Sequence, residues 1–204
     1  MILYFIHTPR TGGTSLGKWL RGGKKIFDIC YNGHARYSFD IHKKLKEKDK
    51  VIAITMMRDP VELCTSFYAC IKVARPHRGW SDAQKWNFSQ WLVNSPEHKN
   101  FQTRWFNNHA WSKFVNPKPE DLIPSVDVAV KTLEQFDYIF DTETLTCDVN
   151  TMCKKNGINY PFNIHINHYK KPEVSKRDIE IIKEVCALDY KLLKTAAPHI
   201  KIKY

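Results

Sequence analysis

A run of apolar residues near the start of the chain leads directly into a turn that contains two glycines. Residues 2–6 (ILYFI) have the composition and length of a buried strand. Leu16, Trp19 and Leu20 then recur at the spacing of one helix face. The first N–H groups of a helix have no partner within the helix and point outward. A strand, a glycine turn and a helix start therefore predict a cradle for an anion such as phosphate.

The side chains of the turn suit such an anion. Arg10 supplies a fixed positive charge, and Thr14 and Ser15 add hydroxyl donors. Gly12 and Gly13 allow the backbone to approach a phosphate closely. The turn is not a Walker A loop, because no lysine precedes Thr14 and Ser15. An ordinary strand–helix turn with glycines for tight packing is the alternative interpretation of the same residues.

A second strand–helix junction follows further along the chain. Residues 51–57 form another apolar run of strand length, and Arg58 comes directly after it. Asp59 is a suitable N-cap, Pro60 suits the first helical position, and Glu62 completes a capping box. Arg58 is therefore predicted to lie where the strand meets the start of a helix.

Arg58 and Ser66 are two further candidate ligands for an anion. Ser66 lies about two turns into the predicted helix. The carboxyl ends of parallel strands open on one edge of a sheet, where α/β proteins bind their ligands, so Arg58 is expected on the same edge as Arg10. A structural salt bridge of Arg58 and a solvated helix position for Ser66 are the alternatives.

Together the two segments resemble the donor-binding motifs of sulfotransferases. Residues 7–15 (HTPRTGGTS) resemble the 5′-phosphosulfate loop, H-x-P-K-T-G-G-T-S, and residues 57–68 (MRDPVELCTSFY) resemble the 3′-phosphate segment, R-D-P-x-x-R-x-x-S-x-Y. The form that the two motifs take in this sequence is most similar to that of the Golgi glycan sulfotransferases of the heparan 2-O and 6-O types and their bacterial or viral relatives. Two positions depart from the pattern: Arg10 replaces the usual lysine, and Glu62 replaces the usual second arginine.

Shorter resemblances extend along most of the chain. Residues 31–37 resemble the family segment that bears the catalytic base, and residues 100–106 resemble an N-x-Q-T-R helix. Residues 136–145 resemble a late strand that ends near a T-E-x-L helix start. Residues 167–172, followed by a long helix with Asp189 and Tyr190, resemble the C-terminal segment that closes over the cofactor.

The resemblance implies 3′-phosphoadenosine 5′-phosphosulfate (PAPS) as the sulfuryl donor and adenosine 3′,5′-bisphosphate (PAP) as the product formed from it. It also implies a role for each matched residue. Cofactor binding is implied for Arg10, Thr11, Gly12, Gly13, Thr14, Ser15, Arg58, Ser66 and Lys170, and catalysis for His34 and Arg10. Histidine suits the role of base because it titrates near neutral pH. A plain surface histidine is the alternative for His34, and His7 is a second candidate base whose place at a strand end favours a structural role.

Length and composition favour one domain over residues 1–204. The expected fold is α/β, a P-loop-like parallel sheet flanked by helices, as in the sulfotransferase fold. A hydrophobic content of 43% is typical of a globular chain. The net charge of +11 implies an anionic partner, and we expect PAPS and a glycan or other hydroxyl acceptor rather than nucleic acid. The six cysteines form no C-x-x-C pair and are expected as reduced thiols, with no metal site.

The apolar runs are too short to span a bilayer, and the first of them lacks a cationic leader. We therefore expect a cytoplasmic protein of bacterial or viral type without a membrane partner. Strands are predicted near 2–6, 26–30, 51–56, 126–130 and 137–140, and helices near 14–21, 40–47, 60–74, 81–93, 98–108, 142–156 and 175–194. The stretches 73–80 and 112–125 are candidate acceptor or lid loops, with plain connectors as the alternative.

The leading functional hypothesis is a PAPS-dependent sulfotransferase that acts on a carbohydrate hydroxyl. A P-loop-like nucleotide kinase is the first alternative, disfavoured because the G-K-[ST] signature is missing. The second alternative is a protein without catalytic activity that binds a nucleotide or an anionic polymer through its net charge of +11.

Overall fold

The chain contains a parallel β-sheet with helices packed against it in the structure, a computed structural model that describes residues 1–26, 28–31, 38–47, 49–73, 82–107, 118–164 and 169–196. The four strands of this part of the chain are β1 (Ile2–Ile6), β2 (Asp28–Tyr31), β3 (Val51–Met57) and β4 (Tyr138–Asp141). They lie in the order β2-β1-β3-β4, and each neighbouring pair is parallel. The predicted α/β class, with a parallel sheet flanked by helices, is confirmed.

The helices of the described residues are α1 (Gly13–Gly22), α2 (Phe39–Lys46), α3 (Pro60–Val73), α4 (Phe88–Asn94), α5 (Phe101–Phe106), α6 (Val126–Leu133), α7 (Leu145–Lys155), α8 (Lys176–Val185) and α9 (Ala187–Ala196). Short 3-10 helices span Asp82–Lys85 and Pro119–Leu122. The chain divides into two compact units. The sheet unit comprises Met1–Arg58, Lys131–Asn167 and Ala196–Tyr204, and the helical unit comprises Asp59–Val130 and His168–Thr195. That residues 1–204 form a single domain stays a prediction.

One face of the sheet carries the main hydrophobic core of the sheet unit. Leu3 and Phe5 of β1 pack there with Trp19 of α1 and with Val149 and Met152 of α7, and all five are almost fully buried. Because side chains alternate along a strand, Tyr4 faces the opposite side. The core therefore fixes α1, and with it the turn between β1 and α1, against the sheet.

The other face of the sheet is covered by α2. The Tyr4 ring lies 5.5 Å from the His42 ring, measured between centroids, and the Ser38 N–H donates to the Tyr4 hydroxyl at 3.2 Å. Burial of His42 lowers the pKa of its imidazole. Helices thus cover both faces, which leaves the edge formed by the strand ends as the place where loops carry polar groups.

The helical unit is held by aromatic contacts and buried polar groups. Phe67 of α3 meets Phe101 of α5 edge to face, with ring centroids 4.7 Å apart. Ser175 and Asp178 form the predicted capping box at the start of α8. The Ser89 hydroxyl donates to the Asp178 carboxylate at 2.6 Å, so the same carboxylate also ties α4 to α8.

Three element predictions are wrong in their details. The alternating run 126–130 was expected as a strand but begins α6, where Val126, Ala129 and Leu133 are buried at helical spacing and the Ser125 hydroxyl accepts from the Val128 N–H. The helix expected over 175–194 is two helices, because α8 ends at Val185 with Cys186 as its C-cap and α9 begins at Ala187. In place of the helix expected over 81–93, the described residues form a separate 3-10 helix, Asp82–Lys85, and α4, which begins after the extended N-cap Asn87.

Candidate functional site

The turn between β1 and α1 has a backbone that is unusual for its sequence. Arg10 has a φ of 66° and Gly12 a φ of 84°, both in the left-handed region. Glycine adopts this region freely, whereas a residue with a Cβ does so at a cost of about 1–2 kcal/mol. Among the described residues, Asn100 is the other non-glycine residue with positive φ, and asparagine tolerates it better than arginine. Strain of this kind concentrates at binding and catalytic sites.

A network of threonines holds the turn in this conformation. The Thr11 hydroxyl donates to the main-chain oxygen of Thr8 at 2.7 Å, and the Thr142 hydroxyl donates to the main-chain oxygen of Thr11 at 2.9 Å. The Thr55 hydroxyl of β3 donates to the main-chain oxygen of Ile6 at 3.0 Å. The Thr11 hydroxyl donates inside the turn and is therefore not available as a donor to an anion.

Gly13 gives the turn its close packing. A Cβ at this position would lie 1.9 Å from Cδ2 of His7, far inside van der Waals contact. The His7 ring is almost fully buried and stacks on Phe5, with centroids 5.8 Å apart. His7 thus fills the space beside the first residue of α1, as its place at the strand end predicts, and Gly13 is required because His7 is there.

The exposed side of the turn is the start of α1. Gly12 is the N-cap of this helix and provides no side chain for its N–H groups. The Ser15 N–H donates back to the Gly12 oxygen at 3.0 Å, so the N–H groups of Gly13 and Thr14 are the ones that helix geometry leaves without an acceptor in the helix. Thr14 is exposed and Ser15 is buried. The arrangement suits an anion held by main-chain donors and by the Thr14 hydroxyl.

Arg58 joins this turn from the neighbouring strand. β1 and β3 are adjacent and parallel, with Ile6 opposite Thr55, so both strands end at the same edge of the sheet, as predicted. Arg58 Nη1 donates a hydrogen bond of 2.9 Å to the main-chain oxygen of Arg10. The structure therefore brings two of the predicted cationic residues, Arg10 and Arg58, into direct contact.

The start of α3 is capped by the side chain of Asp59, the residue directly before the helix. The Asp59 carboxylate accepts hydrogen bonds from the N–H groups of Val61 at 2.8 Å and Glu62 at 3.2 Å, which confirms Asp59 as the predicted N-cap. These donors are thereby occupied. An anion near this helix end therefore cannot use these two N–H groups.

Ser66 and Lys170 belong to the helical unit. Ser66 is 8% exposed on α3, and Lys170 is exposed in the segment that precedes α8. The next residue, Lys171, forms an ion pair with the Glu62 carboxylate in the first turn of α3. The residue that departs from the sulfotransferase pattern at position 62 therefore has a cationic partner supplied by a distant segment.

Some predicted site residues lie outside the described residues. His34, the candidate base, falls within 32–37, and residues 74–80 of the first candidate acceptor loop and 112–117 of the second also lie outside the described residues. Of the second loop, residues 118–125 are described and include the 3-10 helix Pro119–Leu122.

Sequence reasoning missed a buried polar centre in the helical unit. The Asp189 carboxylate accepts from the N–H of Gln102 at 3.2 Å and from the N–H and hydroxyl of Thr103 at 2.8 and 2.7 Å. Burial raises the pKa of Asp189 to about 6, against these hydrogen bonds, and lowers the pKa of Arg104 to about 10. The Arg104 guanidinium donates to the main-chain oxygens of Pro96 and Lys99. These groups are engaged with one another and with the backbone, which indicates a structural role.

The sequence contains no signal that links the residues of this centre to one another. Both the N-x-Q-T-R segment and Asp189 stood out as resemblances, but their spacing of 86 residues between Thr103 and Asp189 gives no indication of contact. The described residues hold no group of three or more His, Cys, Asp or Glu side chains placed to bind a metal ion. No described helix has both the length and the apolar character that crossing a membrane requires.

The sequence matches no protein-family model and no curated protein.

Proposed function

We propose that this chain is a PAPS-dependent sulfotransferase with the sulfotransferase fold, and that it transfers a sulfuryl group to a carbohydrate hydroxyl in the cytoplasm. The observation that carries the proposal is the turn between β1 and α1. It combines a left-handed arginine, a left-handed glycine N-cap and a second arginine bound to the first one's carbonyl. An anion-binding function accounts for the strain at Arg10, which packing alone would remove by placing glycine there.

The chemistry asks for positive charge at the leaving phosphate. In sulfuryl transfer the acceptor oxygen forms a bond to sulfur while the bond between sulfur and the bridging oxygen of the 5′-phosphate breaks. PAP leaves with the electron pair of that bond. In the proposed enzyme, Arg10 and the N–H groups of Gly13 and Thr14 stabilise the charge that develops on the leaving phosphate. The threonine network holds the backbone of the turn, and with it these N–H groups, in place before PAPS binds. Less reorganisation is then needed in the transition state.

The second phosphate of the donor requires side-chain ligands. We assign it to Arg58, Ser66 and Lys170, on the resemblance described above. The capping of α3 by Asp59 supports side-chain rather than main-chain recognition, since the N–H groups of Val61 and Glu62 are occupied. An arginine is well suited to this task because its planar fork forms two hydrogen bonds to a phosphate.

The acceptor hydroxyl must lose a proton to a base. We assign this role to His34, because an imidazole accepts a proton near pH 7 and the residue lies in the segment that resembles the family's base-bearing turn. The proton passes from the acceptor oxygen to the imidazole as the new bond to sulfur forms. The stretches 73–80 and 112–125 are the proposed contributors to acceptor binding.

Calorimetric titration with PAP and with ATP, together with transfer of labelled sulfate from PAPS to a panel of carbohydrates, tests the proposal. Arg58→Ala should weaken PAP binding by about 2–4 kcal/mol, because a charge-assisted contact to a phosphate is lost. His34→Ala should lower turnover by about 10²–10⁴-fold and leave PAP affinity nearly unchanged. Unchanged PAP affinity in Arg58→Ala would contradict the assignment of the second phosphate.

The net charge of +11 favours one competing function, a protein without catalytic activity that binds anionic polymers. Tight polymer binding with no PAP binding and no sulfate transfer would establish it in place of the enzyme. Binding of ATP in preference to PAP would instead point to nucleotide kinase chemistry.

A further inference from the structure

The helical unit contains an ion pair between two distant parts of the chain. Lys171 Nζ contacts the Glu62 carboxylate, and the two residues are 109 positions apart. Their side chains are 43% and 32% exposed, so solvent screens the pair and it adds little to stability. Its place in the structure is more informative than its strength, because Glu62 lies in the first turn of α3.

Negative charge is concentrated at the start of α3. The Asp59 carboxylate caps the helix, and Glu62 adds a second carboxylate three residues later. Two carboxylates favour a helix N-terminus but oppose a phosphate that approaches the same end. Arg58, which directly precedes Asp59, is assigned above to a phosphate. A cation that neutralises the charge of the Glu62 carboxylate would therefore affect the affinity for an anionic ligand more than the stability of the fold.

Lys171 also fastens a segment that has no regular structure of its own. Residues 169–175 form neither helix nor strand before Ser175 caps α8. The ion pair attaches this segment to the first turn of α3. Lys170, its exposed neighbour, is thereby brought to the helix that carries Ser66.

We propose that the Glu62–Lys171 ion pair is a positioning and charge-neutralising element of the donor site. This proposal rests on the proposed function. Lys171 cancels the carboxylate of Glu62 at the start of α3 and holds Lys170 where it meets the phosphate of the donor. The reversal of charge at position 62, where the sulfotransferase pattern has arginine, is thus compensated by a lysine from another segment of the same unit.

The test is a set of PAP titrations at low and high salt with four variants: Lys171→Met, Glu62→Gln, the double variant, and Lys176→Met. Lys176 is an exposed lysine at the start of α8, so its replacement controls for the loss of one positive charge. Lys171→Met should weaken PAP binding by about 5–20-fold at low salt, because the variant loses the cation that Lys171 places beside the Glu62 carboxylate. Glu62→Gln removes the negative charge but keeps a side-chain oxygen that can accept from Lys171, so it should bind PAP as tightly as the parent or more tightly. The double variant lacks both the charge and the contact that positions Lys170, and it should bind within about 3-fold of the parent. The defect of Lys171→Met should shrink at high salt.

Thermal unfolding of each variant identifies a merely structural role of the ion pair. In that case the melting temperature of Lys171→Met would be lowered, and adding Glu62→Gln to it would not restore PAP binding. Equal PAP affinity of Lys171→Met and Lys176→Met, or a double variant as weak as Lys171→Met, would overturn this proposal alone. A parent chain that binds no PAP would overturn both this proposal and the proposed function.

Discussion

At the scale of single residues, Arg10 combines two properties that rarely coincide. Its side chain carries the charge that the proposed chemistry needs, and its backbone has a φ of 66° that arginine seldom adopts. The hydrogen bond from Arg58 to the Arg10 carbonyl and the packing of the neighbouring threonines supply the free energy that maintains it. Charge and strain at this position can be separated by substitution.

Arg10→Ala and Arg10→Gly both remove the charge, and they differ in strain. We expect PAP affinity to fall by about 10–100-fold in both variants, because each loses the same charge-assisted contact. We expect Arg10→Gly to have a free energy of unfolding about 0.5–1 kcal/mol higher than Arg10→Ala. Relief of the left-handed strain exceeds the entropy that glycine adds to the unfolded chain. Urea denaturation of the two variants measures the difference, and equal stabilities would argue against a strained Arg10.

At the scale of secondary structure, α5 is a helix that relies on a remote cap. It spans six residues, and its N-cap Asn100 makes no side-chain capping hydrogen bond. The Asp189 carboxylate of α9 takes that role and accepts from the N–H groups of Gln102 and Thr103. The carboxylate is fully buried, which makes its ionisation part of the stability of the helical unit.

Stability should depend on pH through Asp189. Burial raises the pKa of its carboxyl from 3.8 in an unfolded chain to about 6 in the fold. The folded state thus binds this proton more tightly than the unfolded state does. The stabilisation that results is fully present below pH 4 and is lost as the pH rises through 6. Relative to Asp189→Asn, the free energy of unfolding of the parent should fall by up to about 3 kcal/mol between pH 4 and pH 7.

Urea denaturation across this pH range measures the difference in slope. Asp189→Asn should be less stable than the parent at every pH, since its amide cannot accept from all the donors that Asp189 serves. The quantity to compare is therefore the slope of the free energy of unfolding against pH in the two proteins, and not its absolute value. Parallel curves would show that Asp189 does not titrate in this range.

Elements with local signals were predictable from the sequence. Asp59 and Ser175 cap the helices that follow them, and both contacts lie within three residues of the cap. The run 126–130 is wrongly predicted as a strand because its apolar residues alternate. In the structure, the buried residues Val126, Ala129 and Leu133 follow the period of a helix. Periodicity over five residues does not separate the two when tertiary packing selects the helix.

The parts of the candidate site that depend on remote partners were not predictable. The motif at residues 7–15 locates the turn, and the strand order places Arg58 beside it. Neither the Thr142 contact to Thr11 nor the Glu62–Lys171 pair has a local signal, because each joins segments more than 100 residues apart. The positive φ of Arg10 has no sequence signature, because arginine is not among the residues that favour this region.

At the scale of the whole molecule, the net charge of +11 separates the proposed enzyme from a polymer-binding protein. A defined nucleotide site engages few charges, so PAP affinity should fall by about 10-fold or less between 50 and 300 mM salt. Binding to a single-stranded oligonucleotide, if it occurs, should fall by about 100-fold or more, because many counterions are released. Titrations of both ligands across this range decide the matter. An oligonucleotide that binds more tightly than PAP at physiological salt would contradict the proposed function.

The hydrogen bond from Thr142 to Thr11 has a consequence for the order in which the protein forms. The turn beside β1 is closed by Thr55, Arg58 and Thr142, and the last of these lies 131 residues downstream of Thr11. Contacts of such sequence separation form late, since the loop they close is entropically costly. An N-terminal fragment would carry the complete motif without its geometry. During synthesis, the turn is therefore expected to reach its final shape after the chain has grown past residue 142, and a prematurely terminated product would contain the sequence of the turn without the geometry on which the proposed anion site depends.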